Sequence, residues 1–206
     1  MKSLFSPRLG LACCLVLGFS STAFASISAS NNAGTYKASW SVTGGNTLNV
    51  TIEAATSGWV GIGFSKTATM DDTDFFIGGV SSNGYAYGAD SFYNPLNNTH
   101  SAPLVDAAQN VYFNATEANG VTTINFSRLL NTGDTVGDYD LSNGSYSLLW
   151  AFRTGTTPDD TTKFHGGSGG GFGVLASNVN FVPLPSAFWF LGSGLMALWG
   201  YARKTR

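Results

Sequence analysis

Cysteine is missing from this chain after residue 14; Cys13 and Cys14 are the two it has. The rest of the protein therefore cannot form a disulfide, a thiolate metal site or the Cys-x-x-Cys-His attachment of a c-type haem. Histidine is almost as scarce, with His100 and His165 alone, and Met70 is the one methionine away from the termini. No Ser-His-Asp order, nucleophile elbow, Walker loop or zinc spacing can be read from so little material. Cations are few and badly placed. Lys2, Arg8, Arg203, Lys204 and Arg206 sit at the ends, while all twelve acidic residues lie between them. Residues 26–181 thus hold five cations against twelve carboxylates, a net −7. Nucleic acid, whose phosphates need a basic surface, is excluded as a partner. No window keeps a helical period, and no internal repeat is visible.

The two ends have their own organisation. Lys2 and Arg8 give a positive start, Leu9 to Phe19 is apolar, and Ala23-Phe24-Ala25 is a small-x-small site. Residues 1–25 read as a signal peptide cut after Ala25. A membrane anchor is the alternative, but the apolar run is short for a span. A lipoprotein site at Cys13 would leave almost no apolar core before it. At the other end Val182-Pro183-Leu184-Pro185 precedes an apolar stretch, Phe188 to Tyr201, closed by Arg203, Lys204 and Arg206. The prolines end whatever precedes them, and terminal cations favour the cytoplasmic side of a membrane. This order of parts resembles the PEP-CTERM sorting signal of Gram-negative bacteria in its Val-Pro-Leu-Pro variant. The resemblance implies that residues 182–206 form a sorting tail with a hydrophobic helix. It further implies recognition of Val182, Pro183, Leu184 and Pro185 by an exosortase-type protease, and an exopolysaccharide setting. The expected location is the periplasm or outer surface of a Gram-negative cell, with membrane attachment through the tail at least for a time. A plain C-terminal anchor is the alternative.

Between the ends the pattern is β throughout. Leu48, Val50, Ile52 and Ala54 alternate with Asn49, Thr51 and Glu53, as in a strand with one buried face. Val111 to Glu117 and Val121 to Phe126 flank Asn119-Gly120, a strong hairpin signal. Asn83-Gly84 and Asn143-Gly144 mark further turns. Other strands are predicted at Lys37–Val42, Trp59–Phe64, Phe75–Val80, Tyr85–Ala89, Tyr146–Phe152 and Phe172–Leu175. Short strands at regular spacing predict an all-β, antiparallel, immunoglobulin-like sandwich over residues 36–181, after an N-terminal linker at 26–35. Ser65 to Asp72 and the Gly-rich Thr154 to Gly171 are predicted loops, and loops of the second length often carry function.

Few residues here could do chemistry. Asp71, Asp72 and Asp74 crowd one corner, and Asp134, Asp138 and Asp140 another. Such oxygens can hold calcium, but neither run has EF-hand spacing, and solvated turns explain both. A paired-carboxylate glycosidase has no pair that the sequence selects. Gly61-x-Gly63 lacks the rest of a nucleotide fingerprint and reads as sheet punctuation. There remain Met70 and His165, each in a loop. Thioether sulfur and imidazole nitrogen together can fill both axial positions of a haem iron, which favours electron transfer over oxygen chemistry. A core methionine and a surface histidine are the plain alternatives.

Gly58-Trp59-Val60-Gly61-Ile62-Gly63-Phe64-Ser65, then Met70, then Asp74-Phe75-Phe76-Ile77-Gly78, resembles the signature of the DOMON domain. Trp40, the run Thr123 to Asp134, Tyr146 to Phe152 and Phe164-His165-Gly166 extend the similarity over roughly residues 36–180. The family's haem-binding members take one axial ligand from the Met after the Gly-Trp strand and the other from the late His-Gly segment. The resemblance therefore implies non-covalent haem b held by Met70 and His165 as iron ligands, in an electron-transfer module with an unidentified redox partner and no catalytic residues of its own. Relatives lacking these ligands are thought to bind sugars, so a haem-free carbohydrate- or exopolysaccharide-binding module is the alternative. The Gly run after His165 lacks the basic residue common there. His100 matches no ligand position. Trp59, Phe64, Phe92, Trp150 and Phe164 are expected either to line an apolar slot between the sheets or to be sandwich core. Arg128 is expected to pair with a strand-end carboxylate rather than a haem propionate.

Overall fold

The computed structural model describes residues 26–93, 103–154, 165 and 170–181. Eleven strands form among them. They are β1 (Ile27–Ser30), β2 (Tyr36–Thr43), β3 (Thr47–Ala54), β4 (Val60–Ser65), β5 (Thr73–Val80) and β6 (Ala86–Tyr93), followed by β7 (Leu104–Val105), β8 (Tyr112–Ala118), β9 (Val121–Leu129), β10 (Tyr146–Phe152) and β11 (Gly171–Val179). One sheet has the order β1-β2-β3-β9-β8 and the other β11-β10-β4-β5-β6-β7. Every pairing is antiparallel. This is the two-sheet, all-β sandwich that the alternating pattern predicts.

The alternation sets which side chains meet. Ala38, Trp40, Leu48, Val50, Ile52, Ile124 and Phe126 of the first sheet face Val60, Ile62, Phe64, Phe76, Leu148 and Phe152 of the second in one continuous core. Each such side chain stabilises the fold by about 1.5–3 kcal/mol through removal from water. Phe76 stacks on Phe126 across the gap, with centroids 4.8 Å apart. The Tyr36 hydroxyl donates to the Gly61 carbonyl at 2.9 Å, a buried bond between the sheets. The β8–β9 hairpin closes on Asn119 and Gly120, with φ of 55° and 75°, the left-handed pair that the Asn-Gly signal selects.

Two features depart from the sequence reading. Residues 26–35, expected as a linker, carry β1, which pairs with β2 from Ile27↔Trp40 to Ser30↔Lys37. Its Ile-Ser-Ala-Ser run is too short and too small to show as a strand, and the ladder with β2 supplies what propensity does not. The two-residue β7 was likewise unpredicted, and it pairs with Ser91 and Phe92 of β6. The expected signal peptide with its Ala25 site, and the tail with Val182, Pro183, Leu184, Pro185 and the hydrophobic helix, lie outside the described residues. Among the described residues no helix is long and apolar enough to cross a membrane.

Candidate functional site

The second sheet is apolar on both faces. All eight residues of β5 are buried. Its inward Phe76 and Val80 join the sandwich core, while its outward Phe75 and Ile77 join Trp59, Tyr93 and Leu149 in a second cluster. Met70, Tyr87 and Ala151 pack against that cluster. A covered outer face on an antiparallel sheet is unusual, because such sheets normally leave one face to water.

Met70 reaches this face from the β4–β5 loop. Ser65 and Thr73 pair at the loop's base, and both hydroxyls donate to the Thr69 carbonyl, at 2.9 and 2.8 Å. The Thr67 amide donates to the Ser65 oxygen at 3.2 Å. Ala68 and Asp72 take left-handed φ of 60° and 51°, a conformation that costs L-residues about 1–2 kcal/mol. The hydroxyl staples hold the chain there and leave Met70 packed against the outer cluster.

His165 comes to the same place from the far end of the chain. Its Nε2 lies 3.2 Å from the Met70 Sδ, across 95 residues of sequence. The ring meets Trp59 edge-on, with centroids 6.4 Å apart, and Phe172 at 4.3 Å. The side chain is 6% exposed, and this burial lowers the imidazole pKa below its usual value. The neutral ring keeps a lone pair for a metal at neutral pH. A metal ion held by both would need the two donors to move apart. One soft and one borderline donor in an apolar surround have the chemistry that would suit a haem iron, and Met70 and His165 would be the residues to hold it.

Of the two readings of the aromatics, sandwich core is the one that the described residues bear out. Phe64 belongs to the inter-sheet core, and Phe92 and Trp150 pack against it. Of the aromatics singled out, Trp59 alone lies in the outer cluster among the described residues; Phe164 and His100 lie outside them. The signal for an outer-face site is the unbroken run Phe75-Phe76-Ile77, which marks a strand covered on both sides.

Gly61 and Gly63 are the floor of this cluster. A Cβ on Gly63 would stand 2.7 Å from Cδ1 of Phe75 and 2.9 Å from Cγ2 of Thr73, closer than real side chains approach. On Gly61 the nearest atom would be Ile77 Cγ1 at 3.3 Å. Gly63→Ala should therefore destabilise the fold by about 1–3 kcal/mol and displace the Phe75 ring, with a much smaller effect from Gly61→Ala. Urea midpoints for the two variants check this, and equal midpoints would refute the ring-over-glycine packing.

A second polar cluster lies inside the same end of the sandwich. Arg128 donates through Nη1 to Asp74 Oδ2 at 2.7 Å and sits 3.1 Å from Asp138 Oδ1. Its Nη2 donates to the Tyr139 carbonyl at 3.3 Å, and the Tyr139 amide donates to Asp74 Oδ2 at 3.0 Å. The Tyr139 hydroxyl donates to the Asp72 carbonyl, in the loop that carries Met70. The expected strand-end pairing of Arg128 is what forms, and it joins the two acidic corners that the sequence shows apart. Asp90 of β6 completes the group. Burial, reinforced by the charges of Asp74 and Asp138, pushes its pKa up to about 8; burial pushes Asp74 to about 6 against the pull of Arg128. Because Asp90 binds its proton more tightly folded than unfolded, it erodes stability as pH rises from about 4 through 8. In buffer free of divalent ions, Asp90→Asn should flatten that part of the stability-versus-pH curve, as read by urea melts at pH 5 and pH 8.5.

A family model described as the DOMON domain matches residues 32–153. DBH-like monooxygenase protein 1 of Mus musculus is 34% identical over 122 residues, 59% of this chain and 19% of its own. The Homo sapiens protein of that name is 28% identical over 136 residues, 66% of this chain and 21% of its own. The chain thus spans about a fifth of the length of these curated relatives. Among solved structures, the cytochrome domain of Myriococcum thermophilum cellobiose dehydrogenase has a TM-score of 0.47 at 14% identity, covering 80% of this chain and 87% of that one. The cytochrome b domain of pyranose dehydrogenase from Coprinopsis cinerea has a TM-score of 0.37 at 19% identity, covering 68% and 71%. The expected Gram-negative periplasm or cell surface is corrected by these findings, since the curated relatives come from mouse, human and, for MOXD1 homolog 2, Drosophila melanogaster. That expectation rests on the likeness of the tail at residues 182–206 to a sorting signal, and an apolar stretch closed by cations is a general membrane pattern not peculiar to one kind of cell.

Proposed function

The chain belongs to the DOMON family, and from that premise we propose that it is a haem b-binding electron-transfer module with Met70 and His165 as the two axial donors. The observation that carries the reading is the 3.2 Å approach of the thioether sulfur to the imidazole nitrogen, over an apolar outer sheet face. Bound there, the haem supplies a one-electron couple, and thioether ligation favours its reduced form. The chain's own residues do the rest. The Ser65 and Thr73 hydroxyls hold the Met70 loop. Burial keeps the His165 ring neutral. Phe75, Ile77, Trp59 and Leu149 keep water away from the donor pair. With both axial positions filled by the protein, the module has no catalytic residues and passes electrons to a separate redox partner.

Full-length protein produced with haem available, or reconstituted with haemin, tests this directly. The expected result is a coloured protein binding one haem per chain, with the reduced-minus-oxidised spectrum of a six-coordinate low-spin b-type centre. A colourless product that takes up no haem on reconstitution would overturn the reading.

A further inference from the structure

We propose that Met70 is a reversible oxidation site, where hydrogen peroxide converts the thioether to a sulfoxide whose new oxygen engages His165 Nε2, so that one modification withdraws both donors. The consequence for haem rests on the reading of this pair as axial ligands. Between residues 26 and 181 there is no cysteine and no methionine but Met70, so it is the one sulfur of that stretch an oxidant can attack. Its surroundings give access. Lys66, Thr67, Ala68, Thr69, Asp71 and Asp72 are exposed, and Met70 itself is half-buried, unlike a core methionine. The step balances without a further reactant. The sulfur lone pair attacks one peroxide oxygen, the S–O bond forms and the O–O bond breaks. Sulfur gives up two electrons, and the hydroxide released takes the proton from the transferred oxygen and leaves as water.

The geometry fixes what the added oxygen meets. The sulfur already stands 3.2 Å from Nε2, and neither side can easily draw back. The Ser65 and Thr73 hydroxyls pin the Thr69 carbonyl, and the Thr67 and Thr69 hydroxyls bond to each other at 2.8 Å. The imidazole is held between the Trp59 and Phe172 rings. Thioether sulfur is a weak acceptor, whereas a sulfoxide oxygen is a polar one. A polar group placed against the apolar cluster of Phe75, Ile77 and Leu149 is costly unless it is hydrogen-bonded, and the imidazole is the donor at hand. With Nε2–H donating to that oxygen, Nε2 carries the proton and keeps no lone pair for a metal. The sulfur has lost its soft-donor character in the same step. Coordination works in the opposite sense, because a sulfur lone pair already shared with a metal is not available to peroxide. The vulnerable species is therefore the haem-free chain, and oxidation there governs whether haem can be loaded.

Haem-free full-length protein is treated with a small excess of hydrogen peroxide, and peptide mass spectrometry reads the gain of one oxygen at each methionine. Conversion of Met70 is expected, at least tenfold slower when the protein is first loaded with haem. Nitrogen-15 shifts of the His165 imidazole, read in the haem-free protein, should show the proton held on Nε2 after oxidation. The oxidised protein should bind haemin at least tenfold more weakly, and a methionine sulfoxide reductase with a thiol reductant should restore the affinity. Peroxide should change neither the imidazole shifts nor the haemin affinity of Met70→Leu. Untreated protein that takes up no haemin would overturn the axial-ligand reading and the haem consequence with it, and the mass and imidazole readouts would still decide the oxidation site. Met70 left unoxidised in the haem-free chain, or imidazole shifts unmoved by complete oxidation, would overturn the proposal. So would haemin binding undiminished by oxidation.

Discussion

Met70→Ala and His165→Ala should each abolish the six-coordinate low-spin spectrum of the haem-loaded protein while leaving the sandwich folded. Met70 packs against the outer cluster and His165 meets its Trp59, apart from the main core. Their loss removes a donor without opening the inter-sheet interior. The imidazole loss should be the more severe, lowering haem affinity by at least two orders of magnitude. Met70→Ala should leave a five-coordinate centre with a lower reduction potential, because the thioether that favours the reduced ion is gone. Absorption spectra and haem retention on gel filtration read the effect, and circular dichroism checks the fold. Spectra unchanged in both variants would show that other residues hold the iron. Met70→His offers a sharper version, since exchanging thioether for imidazole should keep six-coordination and lower the potential.

Arg128→Met should remove a large fraction of the protein's stability. The guanidinium is 1% exposed and is bound to Asp74 at 2.7 Å, with Asp138 3.1 Å away. Removing one partner of a buried ion pair leaves its partner's charge uncompensated and costs about 3–5 kcal/mol. A typical domain has only about 5–15 kcal/mol in all. Arg128→Lys should recover little, because a lysine cannot reach Asp74, Asp138 and the Tyr139 carbonyl together as the planar fork does. Adding Asp74→Asn to Arg128→Met should restore part of the loss by removing one stranded charge. Urea unfolding of the three variants gives the comparison, and a loss under 1 kcal/mol in Arg128→Met would refute a structural role for the pairing.

Much of the candidate site was legible because the chain is so sparing. With no cysteine after residue 14 and one methionine between the termini, Met70 and His165 stand out by scarcity alone. The Gly-Trp strand and the Arg128 segment then placed them within a known pattern. The face on which the site is built was harder to see. Val60, Ile62 and Phe64 point into the core, whereas Gly61 and Gly63 point outward, and glycine carries no hydropathy signal of its own. Only the rings of Phe75 and Trp59 reveal that these glycines form a floor.

What the sequence determined by itself is local. The period-two runs, the Asn-Gly turns and the residue types available for chemistry follow from steric and hydropathic rules acting over a few residues. The order of strands in each sheet, the capture of residues 27–30 by β2, the meeting of Met70 with His165 and the gathering of Asp74, Asp90, Asn110, Arg128 and Asp138 were decided by tertiary structure. Alternation says that a strand has an apolar face, but not which strand it lies beside. That choice depends on backbone hydrogen bonds and packing between segments tens of residues apart, and no local pattern records it.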